Sequence, residues 1–168
     1  TVSNNINITG TSAAIATAVG NVDTFSGTPT ANLGNAHTLD QLKTINNAID
    51  GTLTLTDYSV DLSGSTADVK AALAGTFADT YTGNVTLGDA DDAEIAATDI
   101  TAIAGDTNGT VTVTNAIIIT GTSAAITTAV GNVDTFSGAA KASLGNAHTL
   151  DQLKTINNAV SGQLTLTD

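Results

Sequence analysis

The sequence of 168 residues contains no cysteine, and its four basic residues are all lysines, so arginine is absent as well. Without cysteine the chain can form neither a disulfide framework nor a thiolate metal site. Sixteen acidic residues stand against the four lysines and give a formal charge of −12. This charge argues against nucleic acid and anionic membrane surfaces as partners, because both are bound through clusters of basic residues.

Aromatic residues are also scarce, at 3% of the chain, although hydrophobic residues reach 41%. The core must therefore consist of small and aliphatic side chains in thin layers, which suits repeat proteins whose coils touch only their neighbours. No apolar run approaches the length of about 18 residues that crosses a bilayer, so membrane insertion is not expected. Abundant Thr, Gly, Asp and Asn with few Lys are more typical of an exported surface protein than of a cytosolic one.

The segment that organises the chain is GTLTLTD at residues 51–57. Threonine alternates there with leucine, and a period of two predicts a strand with one buried and one polar face. Related segments lie at residues 109–115 and 162–168, so their starts are 58 and 53 residues apart. Recurrence at this spacing indicates an array of repeats.

A longer comparison shows how close the repetition is. Residues 8–57 and 119–168 differ at only eight of 50 positions. One unit of about 54 residues consists of a Thr strand, a second strand, a helix, a short strand and a helix, which is two strand–helix coils of about 27 residues each. Short strand-to-helix links favour parallel stacking of the coils with right-handed crossovers.

The predicted fold is therefore an α/β repeat solenoid, with a parallel β ribbon on one side and helices on the other. The predicted boundaries are residues 1–50 for a partial first repeat, 51–108 and 109–161 for two full repeats, and 162–168 for the first strand of a further one. All four belong to one continuous solenoid in this interpretation. The alternative is a compact three-layer α/β domain, which near-verbatim repetition disfavours.

Cap residues and apolar spacing predict the first two helices of the array. Thr11 or Ser12 caps the first, whose apolar stripe reaches Phe25. Thr38 and Gln41 form a capping box at the start of the second.

The third and fourth helices follow from the same signals. The third is predicted from Thr66 to about Leu73. Asp91 or Asp92 is predicted to cap the fourth, which carries Ile95 on its apolar side, and acidic residues suit the positive end of a helix dipole.

The densest acidic cluster contains four carboxylates, at Asp89, Asp91, Asp92 and Glu94. Closely spaced carboxylates can supply the oxygen ligands that Ca²⁺ prefers, so these four residues are the candidate calcium site. The segment lacks the glycine and the spacing of an EF-hand loop. The competing interpretation is a solvated acidic turn that caps a helix.

Two histidines, His37 and His148, occupy equivalent positions in the sequence GNAHTLDQL. Asp40 and Asp151 lie nearby, but no nucleophile accompanies either pair, so a role in a cap or turn is favoured over catalysis. The chain is accordingly not predicted to be an enzyme.

The Thr-x-Thr strands offer a second functional hypothesis. Stacked strands would present ranks of threonines, and such an outer face suits a module that binds ice or carbohydrate. The ordinary interpretation is that threonine forms strands well and tolerates solvent.

The Gly-Thr-Val-Thr-Val-Thr strands, the small-residue helices and the helix starts LDQL and DDAEI together resemble the repeat regions of very large exported bacterial proteins. Cyanobacterial surface and haemolysin-like proteins are the most similar in style. The resemblance implies a structural or adhesive role outside the cell and no catalytic residue. The leading hypothesis is an extracellular structural repeat that forms or extends a fibre, surface layer or adhesin stalk. Its partners would be copies of itself or adjacent repeats, stacked through open solenoid ends.

Overall fold

The structure, a computed structural model, describes residues 1–167 and has a mixed α/β fold. Six helices of eight to ten residues lie in this part of the chain. They are α1 (Ser12–Gly20), α2 (Leu39–Ala48), α3 (Thr66–Leu73), α4 (Ala97–Asp106), α5 (Ser123–Gly131) and α6 (Leu150–Ala159). The helix starts recur at a nearly regular interval, which is close to the predicted length of one strand–helix coil.

The strands are short and form three parallel sheets. The first sheet has the order β1-β2-β3, the second β4-β5-β7-β9 and the third β11-β10-β8-β6. Their bounds are β1 (Asn7–Gly10), β2 (Thr30–Leu33), β3 (Leu53–Thr54), β4 (Leu62–Gly64), β5 (Val85–Leu87), β6 (Glu94–Ala96), β7 (Val111–Val113), β8 (Ile118–Gly121), β9 (Thr135–Phe136), β10 (Lys141–Leu144) and β11 (Leu164–Leu166).

Paired strands keep a nearly constant separation along the sequence. Partner residues are 22 to 26 positions apart, from Ala31 with Leu53 to Val85 with Val111. This offset is slightly shorter than the predicted length of a strand–helix coil. A strand therefore pairs with a strand that lies 22 to 26 residues further along the chain. The pairing is parallel, as the short strand-to-helix links predicted.

Contacts divide the chain into two units. The first contains residues 1–62, 67–84 and 106–109, and it includes the sheet β1-β2-β3 with helices α1 and α2 packed together. The second contains residues 63–66, 85–105 and 110–168, and it includes the third sheet with helices α5 and α6 packed together. The repeat boundaries read from the sequence stay a prediction.

The core is aliphatic, as the low aromatic content predicts. The fully buried large side chains are mostly Leu and Ile from strands and from the inner helix faces, with Tyr81 the one aromatic side chain among them. In α2, for example, Leu42 and Ile45 are buried at the spacing that the sequence pattern predicts. Among the described residues, no helix is long and apolar enough to cross a membrane.

Two helix predictions are wrong. The first helix ends at Gly20, and Phe25 instead forms a parallel bridge with Val2. The fourth helix begins at Ala97, after Asp91 and Asp92, because the intervening residues Glu94–Ala96 form β6.

Both corrections have the same physical cause. Ile95 pairs with Ile119 of β8 in a parallel register, and this tertiary pairing overrides the helical spacing of the local sequence. The short strand β9 at Thr135–Phe136 arises in the same way, because it pairs with β7 although its own sequence has no alternating pattern.

Candidate functional site

The acidic segment after β5 begins with Asp89, whose carboxylate caps the preceding helix. Both of its oxygens accept a hydrogen bond from the backbone N–H of Thr66, at 3.0 and 3.1 Å, and one accepts the Thr66 hydroxyl at 2.5 Å. Thr66 is the first residue of α3, so a negative charge lies at the positive end of that helix. The Asp89 side chain therefore joins two segments of the chain that are 23 residues apart in sequence.

The same cap recurs at equivalent places in both near-identical repeats. The Asn35 side-chain oxygen accepts from the Ser12 N–H at 2.8 Å, and that of Asn146 accepts from the Ser123 N–H at 2.7 Å. In all three pairs the side chain lies 23 residues after the helix start that it caps. The aligned sequences Gly-Asn, Gly-Asp and Gly-Asn contained this signal, but the sequence does not show which helix each side chain reaches.

The remaining three carboxylates of the predicted calcium site point to separate places. Asp91 accepts the backbone N–H of Ala116 at 2.8 Å, and Asp92 forms an ion pair with Lys141. Asp92 has a left-handed backbone, with φ of 62°. Glu94 lies exposed at the start of β6.

The structure therefore gives Asp89, Asp91 and Asp92 three different protein partners. Within residues 1–167, no group of three His, Cys, Asp or Glu side chains is placed to hold a metal ion. Calcium binding at Asp89, Asp91, Asp92 and Glu94 stays a prediction. A helix cap supplies an alternative explanation for the first of these carboxylates.

We predict that Asp89→Ala lowers the free energy of unfolding by about 1–2 kcal/mol, because three donor contacts at the start of α3 lose their acceptor. Asp89→Asn should cost only a few tenths of a kcal/mol, since asparagine performs this role at the equivalent positions 35 and 146. Urea denaturation of the two variants measures both values. Equal losses for alanine and asparagine would contradict the cap interpretation.

The threonine strands contain two kinds of threonine. The last threonine of each motif donates its hydroxyl to the backbone carbonyl that ends a neighbouring strand: Thr56 to Leu33, Thr114 to Leu87 and Thr167 to Leu144. These hydroxyls hold strands together and are not available to a ligand.

One middle threonine, Thr112, lies in a rank with threonines of the two strands beside it. Thr86, Thr112 and Thr135 lie in register across β5, β7 and β9, with Thr135 exposed and the other two half-buried. Because neighbouring strands are about 4.8 Å apart, these side chains form a short regular rank on one face of the sheet. Of these three residues only Thr112 belongs to a predicted Thr strand, so the predicted Thr face stays a prediction.

His37 belongs to a buried polar pair with Tyr81. The histidine is 4% exposed and the tyrosine 1%, and His37 Nε2 lies 3.0 Å from the Tyr81 hydroxyl oxygen. The hydroxyl donates its own proton to the Val60 carbonyl at 2.7 Å, so the oxygen must accept from His37, which therefore carries its proton on Nε2. The other ring nitrogen, Nδ1, is buried without a partner among the described residues.

This arrangement positions no reacting group. The hydroxyl of Tyr81 is occupied by Val60, and burial raises the pKa of Tyr81, so the phenol stays protonated. Burial also lowers the pKa of His37, and the Asp57 carboxylate opposes this effect only in part. The pair stabilises the fold. The sequence could not reveal it, because the two residues are 44 positions apart and share no motif.

Acid should weaken the fold through His37. Its folded-state pKa lies below the unfolded value of about 6.5, so the unfolded chain binds the proton more readily. The contribution is complete above pH 6.5 and is lost progressively as the pH falls below it. We predict that the free energy of unfolding drops more between pH 7.5 and pH 5 in the wild type than in His37→Gln. Identical pH profiles of the two proteins by urea denaturation would contradict this.

A shallow open pocket of about 200 Å³ lies at the end of α2. Its lining is mainly polar and comprises Asn46, Asn47, Ile49, Asp50, Ala74, Gly75 and Thr76. These residues include one carboxylate, that of Asp50, and no histidine, lysine or cysteine.

Comparison of the chain with protein-family models, with curated proteins and with solved structures gave no match.

Proposed function

We propose that the chain is a structural repeat protein, an α/β solenoid that forms or extends a fibre, surface layer or adhesin stalk outside the cell. Parallel strands would form a ribbon on one side and helices would cover the other. Coils would add end to end, either along one chain or between chains. Neither a catalytic centre nor a resident cofactor is needed for this role.

The observation that carries the proposal is that polar side chains form hydrogen bonds between segments of the chain that are 23 residues apart. They bond to chain segments 23 residues away, as in the caps at Asn35, Asp89 and Asn146, each of which reaches back to an earlier helix start. Asn5 and Asp61 likewise accept backbone N–H groups from 23 residues further on, at 2.8 Å in both cases. Polar side chains that make these hydrogen bonds would specify how the coils stack, and they would not be available to bind a substrate.

The sheet edges support extension by stacking. β1 is at one edge of the first sheet and β11 is at one edge of the third. An edge strand presents unpaired backbone N–H and C=O groups, which are a template for another parallel strand. The formal charge of −12 would keep a fibre of such coils soluble, and the composition is the basis for placing it outside the cell.

Electron microscopy of the purified chain tests this function. We expect unbranched particles of variable length but constant width, because stacking adds coils at one end without changing the cross-section. Short single particles at every protein concentration would contradict self-assembly between chains. Repeating the measurement in millimolar calcium and in chelator tests the predicted ion: a calcium joint requires long particles only with calcium, and the double variant Asp91→Asn, Asp92→Asn should then lose them.

The Thr rank at Thr86, Thr112 and Thr135 favours one second candidate, a module that binds ice or carbohydrate through this face. Its regular spacing across three strands is the specific support. Replacing Thr112 by tyrosine would disrupt such a face while leaving Thr114, which bonds to the fold, in place. Loss of thermal hysteresis or of glycan binding in this variant, with particle assembly unchanged, would favour the binding module over the structural role.

A further inference from the structure

The two near-identical repeats provide an internal comparison, because the same surface is covered in one and exposed in the other. In the first repeat Leu55 is 5% exposed, whereas its counterpart Leu166 is 43% exposed. Leu39 is half-buried, and its counterpart Leu150 is 80% exposed. The sequence is the same at both sites, so the difference reflects what packs against them.

The structure shows what covers the first copy of this surface. Residues 58–81 lie against it as a strand–helix coil: Tyr81 meets His37, and Phe77 forms a parallel bridge with Leu53. The Tyr58 hydroxyl accepts the backbone N–H of Leu55 at 3.1 Å. The apolar face is therefore closed by aromatic side chains that arrive from the following coil.

Two polar contacts add specificity to this closure. Lys43 of α2 donates to the Asp68 carboxylate of α3 at 2.9 Å. Asn46 of α2 donates through its side-chain nitrogen to the Ala71 carbonyl at 2.8 Å. The coil that covers this surface therefore contributes a tyrosine to His37, a carboxylate to Lys43 and a helix backbone carbonyl to Asn46.

Every residue that makes these contacts recurs in the second repeat. The counterparts, each 111 positions later, are His148, Leu150, Lys154, Asn157, Leu164 and Leu166. They belong to α6, to β11 and to the turn before α6. We define this set as the α6–β11 face.

We propose that the α6–β11 face binds a strand–helix coil of the type formed by residues 58–81. The bound coil places a tyrosine hydroxyl against His148, a carboxylate against Lys154 and an aromatic side chain beside Leu164. This inference rests on the proposed function and specifies the chemistry of the unit that stacks there.

The test adds such a coil to the whole chain. Residues 58–84 appended after Asp168 recreate the junction between Asp57 and Tyr58, because residues 162–168 repeat residues 51–57 except for glutamine in place of Thr52. With histidine and tyrosine labelled for NMR, we expect nuclear Overhauser contacts between the His148 ring and the tyrosine grafted from position 81. The Leu166 amide should exchange its hydrogen at least about tenfold more slowly.

A matched control uses the same graft with two changes, which replace the tyrosine from position 81 by alanine and the aspartate from position 68 by lysine. Both effects should disappear in this control, because the ring is lost and two lysines face each other. Absence of the contacts in the unchanged graft would overturn the inference.

The outcome is separable from that of the proposed function. Particles that assemble without any contact between His148 and the grafted tyrosine would leave the structural role standing and remove this inference. Contacts between His148 and the grafted tyrosine, in a chain that forms no particles, would leave this inference standing and remove the structural role.

Discussion

Replacing Gly109 by alanine is expected to destabilise the fold by roughly 3 kcal/mol or more, the largest effect that we predict for a single methyl group. A Cβ at this position would lie 2.2 Å from the Gly83 carbonyl oxygen and 2.5 Å from its carbon. These are backbone atoms of the neighbouring passage of the chain, so no side-chain rotation can relieve the clash. Urea denaturation gives the loss directly.

Gly105 is the matched control, only four positions away and inside α4. A Cβ there meets no atom within 4 Å, so Gly105→Ala should stabilise the protein by about 0.5–1 kcal/mol through lower backbone entropy in the unfolded chain. A loss below about 1 kcal/mol for Gly109→Ala would show that the two passages are not held as closely as the structure places them.

The same close approach explains why glycine opens every threonine strand. At Gly51 and Gly162 a Cβ would lie 2.3 and 2.4 Å from carbonyl oxygens of Pro29 and Ala139, which belong to the preceding passage of the chain. The sequence marked these glycines as the start of each repeat. The sequence could not show that a side chain is excluded by the close approach of another backbone segment and not by the conformation of a turn. That approach depends on the distance between two separate segments of the chain.

Replacing Tyr81 by alanine is expected to cost about 3–5 kcal/mol, since it removes a fully buried ring that packs against Phe77 and His37. Tyr81→Phe keeps the ring and removes only the hydroxyl. It should cost about 1–3 kcal/mol, because His37 Nε2 and the Val60 carbonyl both lose their partner in a buried place.

Tyr58→Phe provides the comparison for a less buried hydroxyl. Its oxygen accepts one backbone N–H, from Leu55, and the residue is half-buried, so the loss should be about 1 kcal/mol or less. The expected order of stability in thermal and urea unfolding is wild type, Tyr58→Phe, Tyr81→Phe and Tyr81→Ala. If Tyr81→Phe were as stable as the wild type, the hydrogen-bonded pair with His37 would have no structural role.

Local signals predicted a helix well where the signal was a capping box, whereas the single-residue cap predicted at Asp91 or Asp92 was wrong. The capping boxes at Thr38 and Thr149 are present, with both reciprocal hydrogen bonds, because every atom involved lies within four consecutive residues. Helix ends and short strands were less predictable. Ile95 and Phe25 follow a helical spacing, but Ile95 pairs with β8 and Phe25 forms an isolated bridge with Val2.

The candidate site shows the same division. The sequence identified Asp89 as one of a cluster of carboxylates, and the structure adds that it caps α3 from a distance of 23 residues. It also marked His37 without indicating Tyr81 as its partner. In both cases the sequence did not show how many residues separate two segments that lie side by side. That separation is set by which strands pair.

The central claim is that the repeats stack as coils of one solenoid, and small-angle X-ray scattering of tandem chains tests it most directly. Chains would be built with one, two and three additional copies of residues 8–118, the unit after which the sequence replays. If the four helices of each unit belong to four stacked coils, with about 4.8 Å between neighbouring parallel strands, each copy should add about 20 Å to the maximum dimension. The cross-sectional radius should stay constant. A cross-section that grows with each copy, or separate globules joined by flexible links, would contradict the solenoid and the structural function proposed from it.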